Sequence, residues 1–208
     1  MGQKEQREIR HHARAADPGD LGVQHFVAAA LVVDLEFDVV DLGPADHVEV
    51  GQQAPDFERP LVDAESWTNA SLSDLLDDGP VLLVCYPMDG AFPATYVWNE
   101  VRDRGWTGEV TVVGLSISTP YEHKSLIEDR GIGDVKLYSD PANGVAEAYG
   151  ILHDLDGMAG ISEPRPAVFA IEPDRTVAYA WVAEQWPDFP DYDAVEDAIE
   201  TLGERATA

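Results

Sequence analysis

The chain has 208 residues, 45% of them hydrophobic, with 13 Lys and Arg against 40 Asp and Glu, a formal net charge of −27. That length suits one domain or a domain with an arm, and so acidic a surface repels nucleic acid and anionic membrane, which excludes both as partners. A single cysteine excludes an internal disulfide and any CxxC pair, and the six histidines are too scattered for a zinc cluster.

Ten arginines stand against three lysines, Lys4, Lys124 and Lys136. Many carboxylates with few lysines point to a cytoplasm rich in salt, where screening relieves the self-repulsion of so acidic a fold. Residues 1–20 are polar, without an apolar stripe. The apolar run at 21–33 is shorter than the about 20 residues a bilayer span needs. Asp17 and Asp20 precede it, and no small-residue cleavage site follows before Asp34 and Glu36, so no secretory leader is expected. "DLEFDVVDLG" alternates weakly, as a marginal strand. We expect residues 1–46 to form a poorly ordered arm. No Met separates Met1 from Met88, and Val48 offers another start, so the arm is further expected not to be native coding sequence. Residues 47–208 are the expected folded domain.

From residue 48 the pattern is orderly. "HVEVGQQAPDFERPLVD" is extended, with Pro55 and Pro60 as punctuation. "WTNASLSDLL" reads as a short strand and a helix start capped by Ser71 or Ser73. "PVLLVCYP" is a continuous apolar run, as in a strand covered on both faces. Residues 93–104 read as a helix, with Val97, Trp98 and Val101 on one face. "GEVTVVGLSIS" is a second buried strand. "TPYEHKSLIEDRG" is a helix with Thr119 as N-cap, Pro120 at its first position and Gly131 as its stop. "DVKLYSD" is a strand, "NGVAEAYGI" a short helix, and "AVFAIEPDRTVAYAWV" a hairpin turning at Pro173-Asp174. "DYDAVEDAIETLG" is the last helix, capped by Asp191 or Asp193. Alternating strands and helices with a closing hairpin predict an α/β domain around a central mixed sheet.

In order and spacing, "VGQQAPDFERP", "SLSDLLDDGPVLLVCYPMD", "GLSISTPYEHKSLIEDRGI", "LYSDPANGVAEAYGI" and "RPAVFAIEPDRTVAYAWV" resemble the peroxiredoxin family, the alkyl hydroperoxide reductase and thiol-specific antioxidant type. The resemblance runs from about Val50 to Leu202. It implies a three-layer thioredoxin-like fold, a central mixed β-sheet with flanking helices, and thiol-dependent reduction of hydroperoxides without a cofactor or metal. The family's motif is P-x-x-x-[ST]-x-x-C, completed by an Arg three positions before the Phe of the late strand. Its cysteine sits in the first turn of a helix, where the dipole and the Arg stabilise the thiolate that attacks the peroxide O–O bond. Here the motif reads "PMDGAFPA". Pro87 matches, Ala91 stands at the Ser/Thr position, Ala94 at the cysteine position, and Pro166 at the Arg position. A methyl group is no nucleophile, so the resemblance implies a degenerate site.

Substitutes are few. Cys85 ends an apolar strand, where thiols are mostly buried and inert. Arg165 lies one residue from the Arg position. Thr95 and Asp89 read as helix-start or turn residues, and His123 as an exposed helical histidine. His153, Asp154 and Asp156 are the weak cation candidate of an acidic chain. Asn69-Ala-Ser71 is a glycosylation sequon that matters only in a secreted protein. Tyr86, Phe92, Tyr96 and Trp98 cluster around the degenerate site, most of them expected as core or interface; the resemblance implies dimer contacts near there, so an apolar patch is a candidate partner surface. The function expected is a non-catalytic redoxin of the cytoplasm that binds itself or an active relative, as a homodimer or heterodimer. A thiol oxidoreductase using Cys85 is the alternative.

Overall fold

The computed structural model describes residues 39–206, with the exception of 156. The apolar run at 21–33 and the expected arm as far as residue 38 lie outside the described residues. In chain order the elements are β1 (Val40–Asp41), β2 (Glu58–Val62), β3 (Trp67–Ser71), α1 (Leu72–Leu76), β4 (Val81–Cys85), α2 (Phe92–Arg104), β5 (Thr111–Ser116) and α3 (Pro120–Arg130). They continue with β6 (Lys136–Ser139), α4 (Gly144–Ala148), β7 (Leu152–His153), β8 (Glu163–Pro164), β9 (Ala167–Ile171), β10 (Val177–Val182), β11 (Gln185–Trp186) and α5 (Tyr192–Ala206).

A seven-stranded mixed sheet in the order β10-β9-β4-β5-β6-β2-β3 organises the domain. Strands β4, β5 and β6 run parallel, while β9 lies antiparallel to β4 and β2 antiparallel to β6. All five residues of β4 are buried, as a strand with layers on both faces requires. Successive side chains of a strand alternate between faces, and here they divide the core in two. Leu82 and Val84 join α2, α3 and α5 in one cluster, which includes Trp98, Ile127 and Ile199. Val81, Leu83 and Cys85 join α1 and α4 in the other, with Leu72, Val145 and Phe169. Helix, sheet, helix is the three-layer arrangement expected.

The local signals behave as their chemistry dictates. Ser71 caps α1, its Oγ accepting from Asp74 N while the Asp74 carboxylate accepts from Ser71 N. Thr119 and Glu122 form the same reciprocal box at α3, with Pro120 at its first position and Gly131 ending it at φ 64°. Asp191 caps α5 by accepting from the backbone N–H of Asp193 and Ala194. Gly114 in β5 is required by close approach. A Cβ there would lie 2.7 Å from the Trp98 ring and 2.5 Å from Leu137.

The domain begins earlier than residue 47. Residues 39–46, assigned to the arm by sequence, carry β1, which pairs with β11. Leu42 N–H donates to the Glu184 carbonyl, and the Leu42 and Gly43 carbonyls accept from Arg165. The partner that anchors this segment lies about 120 residues away in sequence, outside any local window.

Candidate functional site

The chain crosses from β4 to α2 through residues 86–91, at the C-terminal ends of the parallel strands. Open α/β sheets bind their ligands at that edge. Pro87 is buried, and its carbonyl accepts from Ile117 N–H at 3.3 Å. Ala91 is the N-cap residue of α2, extended at φ −60° and ψ 142°, and it has no side-chain oxygen to offer the free N–H groups of the first turn. Ala94 follows as the third helical residue and is 1% exposed. The helix start keeps its partial positive charge. The side chain placed over it is a methyl, packed in the cluster with Trp98 and Val168.

Cys85 and Ala94 sit on opposite faces of the sheet. Cys85 is the last residue of β4, pairs with Leu115 and Ala167, and belongs to the cluster with Phe169 and Tyr149. It is 2% exposed, and burial pushes its thiol well up, with a smaller push from the Asp140 carboxylate. Such a sulfur is neutral at physiological pH and out of solvent reach.

The same alternation separates Arg165 from Pro166. In β9, Val168 and Ala170 face the Ala94 cluster, while Ala167 and Phe169 face the Cys85 cluster. Carried back along the extended chain, the alternation puts Pro166 on the Ala94 side and Arg165 on the other. The contacts agree. One Arg165 Nη donates to the Gly43 carbonyl at 2.7 Å and the other to the Leu42 carbonyl at 3.0 Å, with a longer bond to Ala183 at 3.3 Å. Burial lowers the pKa of this guanidinium. Its hydrogen bonds hold β1 to the domain.

The polar chemistry of this corner joins residues that the sequence offers only singly. Asp89, on the loop, accepts from the Tyr86 hydroxyl at 2.8 Å and faces His123 Nδ1 at 2.9 Å. His123 is fully buried, a correction to the exposed helical residue expected. Its Nε2 lies 3.1 Å from the Tyr138 carbonyl, which only accepts, so Nε2 carries a proton. Asp89 N–H donates to Ser118 Oγ, and Ser118 N–H to Ser116 Oγ. Ser139 Oγ donates to the Ser118 carbonyl. Burial pushes the Tyr86 hydroxyl far up, and the Asp89 carboxylate adds to this. Three strand ends and α3 are thereby tied to the loop that precedes α2. A signal was present, because His123 stands three and four residues before Leu126 and Ile127, on the buried stripe of α3.

The aromatic set splits. Tyr86 and Trp98 are core, their rings edge to face at 5.4 Å. Phe92 and Tyr96 form a partly exposed cluster with Phe189, at ring distances of 4.8 to 6.3 Å. Thr95 Oγ accepts from Arg130 at 2.9 Å, a structural bond between α2 and α3. Among the described residues no three His, Cys, Asp or Glu side chains gather as a metal site. Asp156 lies outside the described residues.

A family model described as "AhpC/TSA family" matches residues 50–180. A chloroplastic 2-Cys peroxiredoxin of Hordeum vulgare is 29% identical over 119 residues, covering 53% of this chain and 57% of that protein. That of Arabidopsis thaliana is 30% identical over the same length and is covered to 45%. The match thus spans about half the length of these relatives. Peroxidoxin BcpB of Mycobacterium tuberculosis superposes with a TM-score of 0.62 at 29% identity, covering 75% of this chain and 97% of that one. The reduced 2-Cys peroxiredoxin of Plasmodium vivax superposes at 0.63 with 22% identity, covering 77% and 100%.

Proposed function

The chain belongs to the AhpC/TSA family of peroxiredoxins, and from that premise we propose that it is a redoxin that has lost hydroperoxide reduction and acts by binding. One observation carries this reading. The residue in the first turn of α2, where the family keeps its nucleophile, is the buried methyl of Ala94, and the chain's one sulfhydryl faces the opposite side of the sheet. The family step needs a thiolate at the helix start, a hydroxyl and a guanidinium that orient the peroxide, and space for it. Ala94, Ala91 and Pro166 occupy those three positions. The polar groups nearby, Tyr86, Asp89 and His123, are consumed by one another and by backbone.

The partner in this reading is a second copy or an active relative, met through the partly exposed Phe92, Tyr96 and Phe189 beside the start of α2. The setting is a salt-rich cytoplasm, which screens a net charge of −27. The alternative, an oxidoreductase built on Cys85, needs a reachable thiol of low pKa, and both burial and the direction of its shift weigh against it.

The test is peroxide consumption by the full chain in high KCl with a dithiol reductant, beside Cys85→Ser and an active peroxiredoxin. No turnover above buffer is expected from either form of this chain. Turnover by the native chain that vanishes in Cys85→Ser overturns the proposal in favour of the alternative.

A further inference from the structure

Beyond the end of β4, three side-chain atoms able to ligate a metal converge. His123 brings a fixed tautomer. Its Nε2–H donates to the Tyr138 carbonyl at 3.1 Å, the kind of backbone acceptor that holds metal-binding imidazoles in orientation. The other nitrogen, Nδ1, faces Asp89 Oδ1 at 3.2 Å and the Tyr86 hydroxyl at 3.5 Å. The third side of the triangle, from the Tyr86 hydroxyl to Asp89 Oδ1, is 2.8 Å.

Those lengths match one face of a coordination octahedron. A six-coordinate cation with bonds of about 2.1 Å sets neighbouring ligand atoms about 3.0 Å apart. A triangle with sides of 2.8, 3.2 and 3.5 Å has a point about 2.1 Å from every corner, about 1 Å off its plane. The chemistry is consistent too. Two hard oxygens, carboxylate and phenolate, beside one imidazole nitrogen suit ferric iron. The Glu122 carboxylate lies within electrostatic reach of His123 and adds negative charge to the surroundings.

The neighbours of Tyr86 are prepared for its ionised form. The Trp98 indole N–H is buried and has no hydrogen-bond partner among the described residues. It and the Ser116 hydroxyl both bear on the Tyr86 oxygen in the direction that favours phenolate, while burial and the Asp89 charge oppose it more strongly. A cation at the centre of the triangle neutralises the Asp89 charge and attracts the phenolate, the inversion usual at a metal. The unpartnered indole N–H then gains an acceptor. Entry is from the loop side, where the Asp89 side chain is 10% exposed and that of His123 is closed off.

We propose that Tyr86, Asp89 and His123 form a ferric iron site, with the phenolate oxygen, the carboxylate and Nδ1 as three ligands on one face. All three bind in their deprotonated forms, so the Tyr86 proton leaves to solvent as iron enters. The site uses neither Cys85 nor the helix start at Ala94, and it stands whether or not peroxide reduction is lost.

The test is titration of the full, metal-free chain with ferric nitrilotriacetate in high KCl, followed by gel filtration and absorption spectroscopy. We expect one iron retained per chain and a visible phenolate-to-iron charge-transfer band, which surface carboxylates do not give. Tyr86→Phe keeps the ring in the core and should lose both the band and the iron while its circular dichroism stays native. Asp89→Asn should weaken retention by at least about tenfold, and Trp98→Phe, which leaves all three ligands in place, by about tenfold with the band kept. Absence of the band in the native chain overturns the proposal. So does a band that survives Tyr86→Phe, which puts iron on another tyrosine. Iron held equally by the native chain, Tyr86→Phe and Asp89→Asn is an adventitious ion on the acidic surface only, and it overturns the proposal as well.

Discussion

Two sides of β4 carry the groups from which chemistry might be expected, and they are arranged differently. On one side Tyr86, Asp89 and His123 form a polar network beside an apolar helix start, with His123 held at both ring nitrogens. On the other side Cys85 sits among hydrophobic side chains with nothing to stabilise a thiolate. Cys85 and Ala94 are nine positions apart, and in sequence they look like alternatives for one role. Strand parity removes that option, because a residue at the wrong parity faces the wrong layer however close it lies along the chain. Arg165 and Pro166 repeat the lesson one residue apart. Polar atoms at the ends of the strands can be wholly engaged in holding a loop.

That contrast can be broken from either side. His123→Ala removes one partner of a buried pair and leaves the Asp89 carboxylate with the Tyr86 hydroxyl alone, so a loss of about 3 kcal/mol is expected in denaturant unfolding. A loss below about 1 kcal/mol would mean that the network is wetter than its burial implies. Gly114→Ala tests how tightly Trp98 is seated on the same side. The added methyl meets the Trp98 ring and Leu137, and about 2 kcal/mol of overpacking should appear as a lower denaturation midpoint.

On the other side, Cys85→Ser buries a hydroxyl among apolar groups at a cost of about 1 kcal/mol or more, with no change in peroxide handling. The thiol itself should resist alkylation by iodoacetamide until the chain unfolds. Its pKa is raised in the folded state, so its share of stability is complete below the unfolded value of about 8.5 and fades as the pH rises past it. Replacing Cys85 with Ala should flatten the first part of the alkaline loss. Tyr86 and Tyr149, also raised, enter only above about 10. The smallest effect concerns Arg165. Arg165→Met should speed hydrogen exchange at Leu42, whose N–H holds β1 to Glu184, and leave the Tyr86–Asp89–His123 corner unchanged. Faster exchange throughout that corner would place Arg165 nearer to it than its bonds indicate.

Much was readable from the residues alone. The runs VLLVC and TVVGLS, the box Thr119–Glu122 with Pro120 and Gly131, and the hairpin around Pro173 each carry their signal within a few residues, because strand burial, capping and turn chemistry are local. The ordered set of segments was enough for the family, while the reading of PMDGAFPA as a degenerate motif remains part of the proposal. Tertiary structure alone decided what depends on distant contact. It buried His123 against Asp89, 34 residues away, and it tied residues 39–46 to Arg165 across about 120 residues. It also turned Cys85 to the far face of the sheet. Sequence carries the period of each element, but which layer a given parity faces is settled only when the sheet is covered on both sides and each side chain must find room in one core or the other.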